Sequence, residues 1–322
     1  MNYKKRILVI RLSALGDVAI LEPVLKLRAE RCRDVLFLLA APPRLQHLFR
    51  DVENIQFVPT QKKLPPRQIY ANLAAYHPDI VADMHHVNRV IGADWLFRLH
   101  GVPVVPIRKH SLRSLTSWQR YNDVLDRCGL PPVEGLQALA NDYWTPKTAH
   151  GKPYAIGIAP FAQHRGKIWP LEHMEQLVQQ LSQDEGMRIF LFGSKEESTT
   201  LELWAKRYPH TVCLAGLHDF DQELNQIAQL DLMVSMDSAN MHFASCLGVP
   251  VISIWGATHP QRGFYGWRQN PDWAVQHSLG CRPCSKYGKK PCRYGDYHCL
   301  SDITPDEVMR RIALVLEQKK EP

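Results

Sequence analysis

Several short stretches carry the residues best suited to chemistry. In RLSALGDVAI, residues 11–20, a strand pattern turns at Gly16 into a helical one and presents a single carboxylate, Asp17. Such an acid is either a helix cap or a general base that takes the proton of an attacking hydroxyl. HRGKIWP sets Arg165 and Lys167 on a loop, and Trp169-Pro170 opens the next helix. A lysine there neutralises a diphosphate or simply stays solvated. FGSKEE places Glu196 and Glu197 after another apolar run. A carboxylate at that point accepts from two ribose hydroxyls or complements the positive end of a helix. In LMVSMDSANMH a strand ends at Asp237, and Ser238, Ala239 and Asn240 open a helix whose first N–H groups suit an anion, with His242 within about one turn. Taken singly, Asp237 or Ser238 reads as an N-cap and His242 as an ordinary helix residue.

These stretches lie where apolar runs end, so the runs define the scaffold. In the first half, Ile7–Ile10, Val35–Leu39, Ile55–Val58, Ile80–Ala82 and Val102–Ile107 alternate with segments of helical spacing, the pattern of a parallel α/β sheet. A helix ends near Cys128, and the stretch from GLPPVEG to Lys152-Pro153 breaks the alternation as a linker would. The alternation resumes with strands at 154–160, 188–193, 211–216, 232–237 and 251–256. We therefore expect domains at 1–150 and 151–322, with a ligand cleft between the carboxyl ends of their strands. A closing helix, 304–320, starts at the capping signal Thr304-Pro305-Asp306-Glu307 with Val308, Ile312, Leu314 and Val315 on its apolar face. Packing of that helix back on the first domain is part of this expectation.

The 322-residue chain is 45% hydrophobic, enough for two cores, which excludes a disordered class. No apolar run approaches the length of a membrane span, and the N-terminus lacks the core of a signal peptide, so a cytoplasmic protein is expected. Residues 1–150 hold 21 Lys+Arg against 13 Asp+Glu, a balance of +8, whereas residues 151–322 hold 18 against 19, a balance of −1. The basic half calls for an anionic partner: nucleic acid, an anionic membrane surface, or a phosphorylated or carboxylated substrate.

Two functional classes compete with the reading below. A hydride-transfer enzyme needs G-x-G-x-x-G in its first turn and an acid closing its second strand. This chain offers Gly16 alone and ends that strand in Leu39-Ala40-Ala41. A zinc-bearing nucleic-acid-binding protein is suggested by Cys281, Cys284, Cys292 and Cys299, spaced C-x2-C-x7-C-x6-C among basic and aromatic residues. The later spacings are not those of a common finger. The segment also lies between the last strand and the closing helix, which favours a local structural feature. Zinc held there by four thiolates is structural.

In combination, RLSALGD, the KIWP loop, GSKEE and MDSANMHFASCLGVPVISIWGATHP resemble the ADP-heptose:lipopolysaccharide heptosyltransferases of glycosyltransferase family 9. The likeness runs in matching order over most of the chain, including RKHSLRSLTSWQRY and the cysteine-rich tail. It implies a GT-B architecture of two Rossmann-like α/β domains facing across a cleft, the first binding the acceptor. It also implies inverting transfer of heptose from ADP-heptose to the inner core of lipopolysaccharide, with no cofactor required for catalysis. On this resemblance Asp17 is the catalytic base, Lys167 a ligand of the donor phosphates and Glu196 the acid on the ribose, while Asp237, Ser238, Ala239 and His242 belong to the donor signature. Family members often read D-T-G-x-x-H where this chain has D-S-A-N-M-H, and Ala239 adds a Cβ where glycine lets phosphate approach. Another nucleotide sugar is therefore the alternative donor. Arg108, Lys109, Arg113 and Arg120 then suit the phosphates and carboxylates of a lipid-linked acceptor at the cytoplasmic face of the inner membrane, with His85, His86, Asn88 and Arg89 on the same side. Peripheral membrane contact is expected; nucleic acid is not.

Overall fold

The computed structural model describes residues 3–108, 115–147 and 153–318. The chain divides after Leu136 into two compact units. In the first, strands β1 (Lys5–Ile10), β2 (Val35–Ala41), β3 (Ile55–Pro59), β4 (Ile80–Asp83) and β5 (Val104–Pro106) form a parallel sheet in the order β3-β2-β1-β4-β5. Helices α1 (Leu15–Arg31), α2 (Pro66–Ala74), α3 (Asn88–Leu99) and α4 (Ser117–Arg127) belong to the same unit. The central strand β1 pairs Ile10 with Ala40 on one side and Asp83 on the other. Residues Ile7 to Ile10 are fully buried. A strand covered on both faces needs an unbroken apolar run, which is why this one shows no alternation.

Helix α5 (Leu136–Asn141) spans the division. The second unit contains β6 (Tyr154–Ala159), α6 (Leu171–Ser182), β7 (Met187–Leu191), α7 (Ser198–Arg207), β8 (Thr211–Cys213), α8 (Phe220–Ala228), β9 (Leu232–Met236), α9 (Ala239–Cys246), β10 (Val251–Ile254), β11 (Ala274–Val275), α10 (His298–Ser301) and α11 (Pro305–Glu317). Its parallel sheet runs β11-β10-β9-β6-β7-β8. In each unit the strand order reverses beside the first strand, between β1 and β4 and between β6 and β9. Open α/β sheets bind ligands at the carboxyl ends of strands at such a reversal. The loops after β1 and β6, which carry Asp17 and Lys167, sit there.

Three features differ from expectation. The division falls after Leu136 rather than at 150, because residues that read as a linker make specific contacts in the second unit. The Trp144 indole donates to the Ser245 carbonyl at 2.9 Å. Arg268 lies 3.8 Å over that indole ring and pairs with Asp142. The closing helix has its capping box, the Thr304 N–H donating to Glu307 Oε2 at 2.7 Å and the Glu307 N–H to Thr304 Oγ1 at 3.3 Å. Its apolar face is Val308, Ile312, Val315 and Leu316, within the second unit's own core, whereas Leu314 is 52% exposed. Helical spacing from Val308 reaches Leu316 and not Leu314. The two-residue edge strand β11 was not anticipated.

Candidate functional site

The turn after β1 is built around an ion pair. Asp17 is the third residue of α1, not its N-cap, and its Oδ2 accepts from the Ala14 N–H at 3.2 Å. The same oxygen meets Arg11 Nη2 at 2.5 Å, with the two side chains 20% and 11% exposed. Arg11 also donates to the Met84 carbonyl at 2.6 Å and lies 5.8 Å from the centre of the Tyr121 ring. The Tyr121 hydroxyl donates to the Asp17 carbonyl at 3.3 Å. Asp17 thus forms half of a capping box and remains accessible from solvent.

The loop after β4 supports this turn. Ser13 Oγ and His85 Nε2 are 3.0 Å apart. The fully buried Asp83 accepts from the His85 and His86 N–H groups at 2.9 and 2.7 Å, and its second oxygen lies 3.0 Å from His86 Nδ1. Behind it, Asp94 on α3 is 1% exposed, with Oδ1 buried and unpartnered. Burial first, and then the charge and hydrogen bond of Asp83, push Asp94 up to about 8, so Asp94 keeps its proton at neutral pH. One ligating atom from each of Asp83, His86 and Asp94 lies within 4.8 Å of the others.

Of the cations assigned to an acceptor, Lys109 and Arg113 lie outside the described residues. Arg108 is exposed just beyond β5, and Asn88 and Arg89 are exposed at the start of α3. Arg120 differs from these. It is 8% exposed on α4, donates to Ser117 Oγ at 3.3 Å and has its Nε buried without a partner. Among the described residues its one side-chain partner is Ser117, and a buried guanidinium of that kind is suited to an anion.

In the second unit, Lys167 closes a short turn after β6. Its Nζ lies 2.8 Å from Asp237 Oδ2 and donates to the Asp237 carbonyl at 3.1 Å. Asp237 Oδ2 also accepts from Thr258 Oγ1 at 2.7 Å. Asp237 is 4% exposed, so it serves as the counter-ion that aims Lys167 rather than as a direct phosphate ligand, which its charge would repel. Ser238 is the N-cap of α9 but makes no side-chain cap bond; its hydroxyl lies 3.2 Å from Ser235 Oγ. Ala239 begins the helix and His242 is buried within it. The two glutamates after β7 separate by role. Glu197 accepts from the Ser194 N–H at 2.7 Å, whereas Glu196 is exposed, with its carboxyl held below the usual range by hydrogen bonds from its own backbone N–H and the Ser194 hydroxyl.

The four cysteines Cys281, Cys284, Cys292 and Cys299 line one cavity with Ala257, Tyr297 and His298, of about 10 Å³. That is room for a single atom. Burial raises the Cys299 thiol to about 11; Arg282 opposes the rise and the other three thiols add to it. Four soft sulfur donors are the chemistry zinc takes, but among the described residues the group of three or more ligating atoms within 4.8 Å of one another is that of Asp83, His86 and Asp94, so the sulfurs would have to draw together to close on a zinc ion. Arg11, Thr258 and Arg282 were not singled out from the sequence. Arg11 opens RLSALGDVAI, Thr258 lies in GATHP and Arg282 falls between Cys281 and Cys284, but no spacing rule assigns them partners.

A profile of glycosyltransferase family 9 (heptosyltransferase) matches residues 118–298. Lipopolysaccharide heptosyltransferase 2 of Escherichia coli K12 is 28% identical over 177 residues, 51% of this chain and 47% of that protein. In sequence, the match thus spans about half the length of the curated relative. Among solved structures, the family 9 glycosyl transferase of Veillonella parvula superposes with a TM-score of 0.74 at 19% identity, over 99% of both chains. The E. coli ADP-heptose lps heptosyltransferase II gives 0.69 at 20% identity, over 98% of this chain and 100% of that one. At such identities the likeness carries the fold, and the architecture is GT-B, two Rossmann-like units in tandem. The profile takes in Arg120, Lys167, Glu196 and the run from Asp237 to His242, more than half of the chain in all, and on that ground this chain belongs to glycosyltransferase family 9, the heptosyltransferases.

Proposed function

We propose that the protein transfers heptose from ADP-heptose to the inner core of a lipopolysaccharide precursor, with inversion at the anomeric carbon. The observation that carries this reading is that each sheet presents, at its own strand-order reversal, one of the two groups the transfer needs, an accessible carboxylate after β1 in the first unit and a mostly buried ammonium after β6 in the second. In the proposed step the acceptor oxygen forms its bond to the anomeric carbon as the bond from that carbon to the diphosphate oxygen breaks. The hydroxyl proton passes to Asp17, and ADP leaves. One displacement from the opposite face inverts the centre. Lys167 and the N–H groups at the start of α9, which Ser238 leaves uncapped, receive the diphosphate charge. These groups do the work that a catalytic cation would otherwise do. Glu196 accepts from the ribose hydroxyls.

On the acceptor side, Arg108, Lys109, Arg113 and Arg120 receive acidic groups of a lipid-linked substrate, Arg120 with the strongest support because it is buried and sparsely paired. Among the described residues no helix is long and apolar enough to cross a membrane. The basic first half would meet the cytoplasmic face of the inner membrane peripherally. The cysteine cavity would hold structural zinc, with near-stoichiometric metal in protein purified without chelator as its check; metal-free protein with titratable thiols would remove it.

Ala239 in place of the common glycine supports one second reading, transfer from another nucleotide sugar. Thermal stabilisation across a panel of hydrolysis-resistant nucleotide sugars separates the two. The ADP-heptose analogue should raise Tm most. A response confined to a different sugar nucleotide would shift the reading to the second, and a response to oligonucleotides alone would reject both.

A further inference from the structure

We propose that Arg282 is a positioning residue for the diphosphate site, acting through the loop 256–259 and Thr258. The inference rests on the donor role given above to Lys167. Arg282 sits between Cys281 and Cys284, yet its guanidinium is spent on backbone. Nε donates to the Gly256 carbonyl at 2.5 Å and Nη2 to the Thr258 carbonyl at 3.0 Å, with Nη2 also meeting Gln276 Oε1 at 3.1 Å. Nη1 donates to the His277 carbonyl. One planar fork thus ties the loop after β10 to the chain beyond β11. A lysine offers no such fork, having a single charged nitrogen.

The loop that Arg282 holds is joined at two points to the donor groups and at a third to the cysteine-rich segment. Thr258 donates its hydroxyl to Asp237 Oδ2, the atom that pairs with Lys167. The Ala257 N–H donates to the Gly166 carbonyl at 2.8 Å, next to Lys167 in the chain. The Ser285 N–H donates to the Ala257 carbonyl at 3.1 Å, which returns the contact to the cysteine-rich segment. Gly288 completes the enclosure. It has φ of 76°, and a Cβ there would stand 2.7 Å from Lys167 Cγ. Gly166 is equally confined, since a Cβ would stand 2.9 Å from the Gly288 carbonyl oxygen. The lysine stem therefore has one approach, and the segment that carries the cysteines fixes it. Loss of the fork leaves the Gly256 and Thr258 carbonyls short of a donor and frees the hydroxyl that orients Asp237.

The test is calorimetric binding of ADP to the full chain. Arg282→Gln and Thr258→Val should each weaken ADP by about tenfold, and Thr258→Ser, which keeps the hydroxyl, should stay within about twofold of wild type. The double variant Arg282→Gln/Thr258→Val should be no weaker than about the weaker single variant, because both changes cut the same chain of contacts. If Arg282→Gln does not fold, Arg282→Lys takes its place in the cycle. Additive losses, or Arg282 variants that bind ADP as wild type does, overturn the proposal. Lys167→Ala run alongside separates the two levels. Unchanged ADP affinity in Lys167→Ala removes the donor reading itself, whereas weakening in Lys167→Ala with none in the Arg282 series removes only the role of Arg282.

Discussion

The loop after β1 and the loop after β6 occupy equivalent places in their sheets and are built with opposite polarity. In the first, the carboxylate of Asp17 is offered outward and its cation, Arg11, comes from the same turn. In the second, the ammonium of Lys167 is offered and its carboxylate, Asp237, comes from 70 residues away. The supports differ too. Around Asp17 they are α4, through Tyr121, and the loop after β4, through Met84 and His85. Around Lys167 they are the loop after β10 and the cysteine-rich segment. A duplicated fold thus supplies two equivalent positions, and local sequence decides whether each offers a carboxylate or an ammonium.

The sharpest way to break this comparison is Asp17→Asn. Asparagine still accepts from the Ala14 N–H, and Arg11 keeps its bond to the Met84 carbonyl, so the variant should fold with a loss of about 1 to 3 kcal/mol from the broken ion pair. It cannot take the proton. Turnover should fall at least about 100-fold, the lower end of what general-base catalysis supplies, with ADP affinity unchanged. Near-normal turnover would reduce Asp17 to half of a capping box.

The complementary change, Lys167→Ala, should spare folding and strike binding. Removing one charged hydrogen bond should weaken ADP by about 1.5 to 3 kcal/mol. Asp237 then loses its cation while keeping Thr258, which leaves a negative charge facing the diphosphate. Asp237→Asn in the Lys167→Ala background should therefore recover part of the lost affinity. Failure to recover it would mean that Asp237 does more than balance the lysine.

The strands were legible because the buried part of β1, Ile7 to Ile10, is an unbroken apolar run and β9 is fully buried with Ser235 as its one polar residue. Strand β11 was not, since Ala274 and Val275 make too short a segment to show a period. At the site, Asp17, Lys167 and Asp237 could be found because each lies where an apolar run ends. Thr258 could not, because its partner Asp237 is 21 residues away and the bond exists only once β9 and β10 lie side by side. Arg282 was hidden differently. Its neighbours Cys281 and Cys284 draw the reading to sulfur chemistry, while its guanidinium serves the backbone of another loop. The domain boundary differs because prolines mark a linker in composition, whereas the contacts of Asp142 and Trp144 with Arg268 and Ser245 assign residues 142–147 to the second unit.

The smallest expected effect concerns the support beneath Asp17, and it sharpens the contrast because the corresponding support of Lys167 has no such pair of acids among the described residues. Asp94 is held up at about 8 by burial and by Asp83, against the opposing charge of Arg98, whereas an unfolded aspartate titrates near 3.9. Between about pH 4 and pH 8 the folded chain therefore keeps a proton that the unfolded chain has lost. Stability must fall as pH rises through that window and level off above it. Asp94→Asn retains an N–H donor for Asp83 but cannot ionise. Its Tm should match that of wild type near pH 4 and stand above it at pH 8.5, because only wild type loses stability through that window. Parallel Tm curves for the two proteins would show that Asp94 keeps no such proton, and that the loop presenting His85 to Ser13 is held by Asp83 alone.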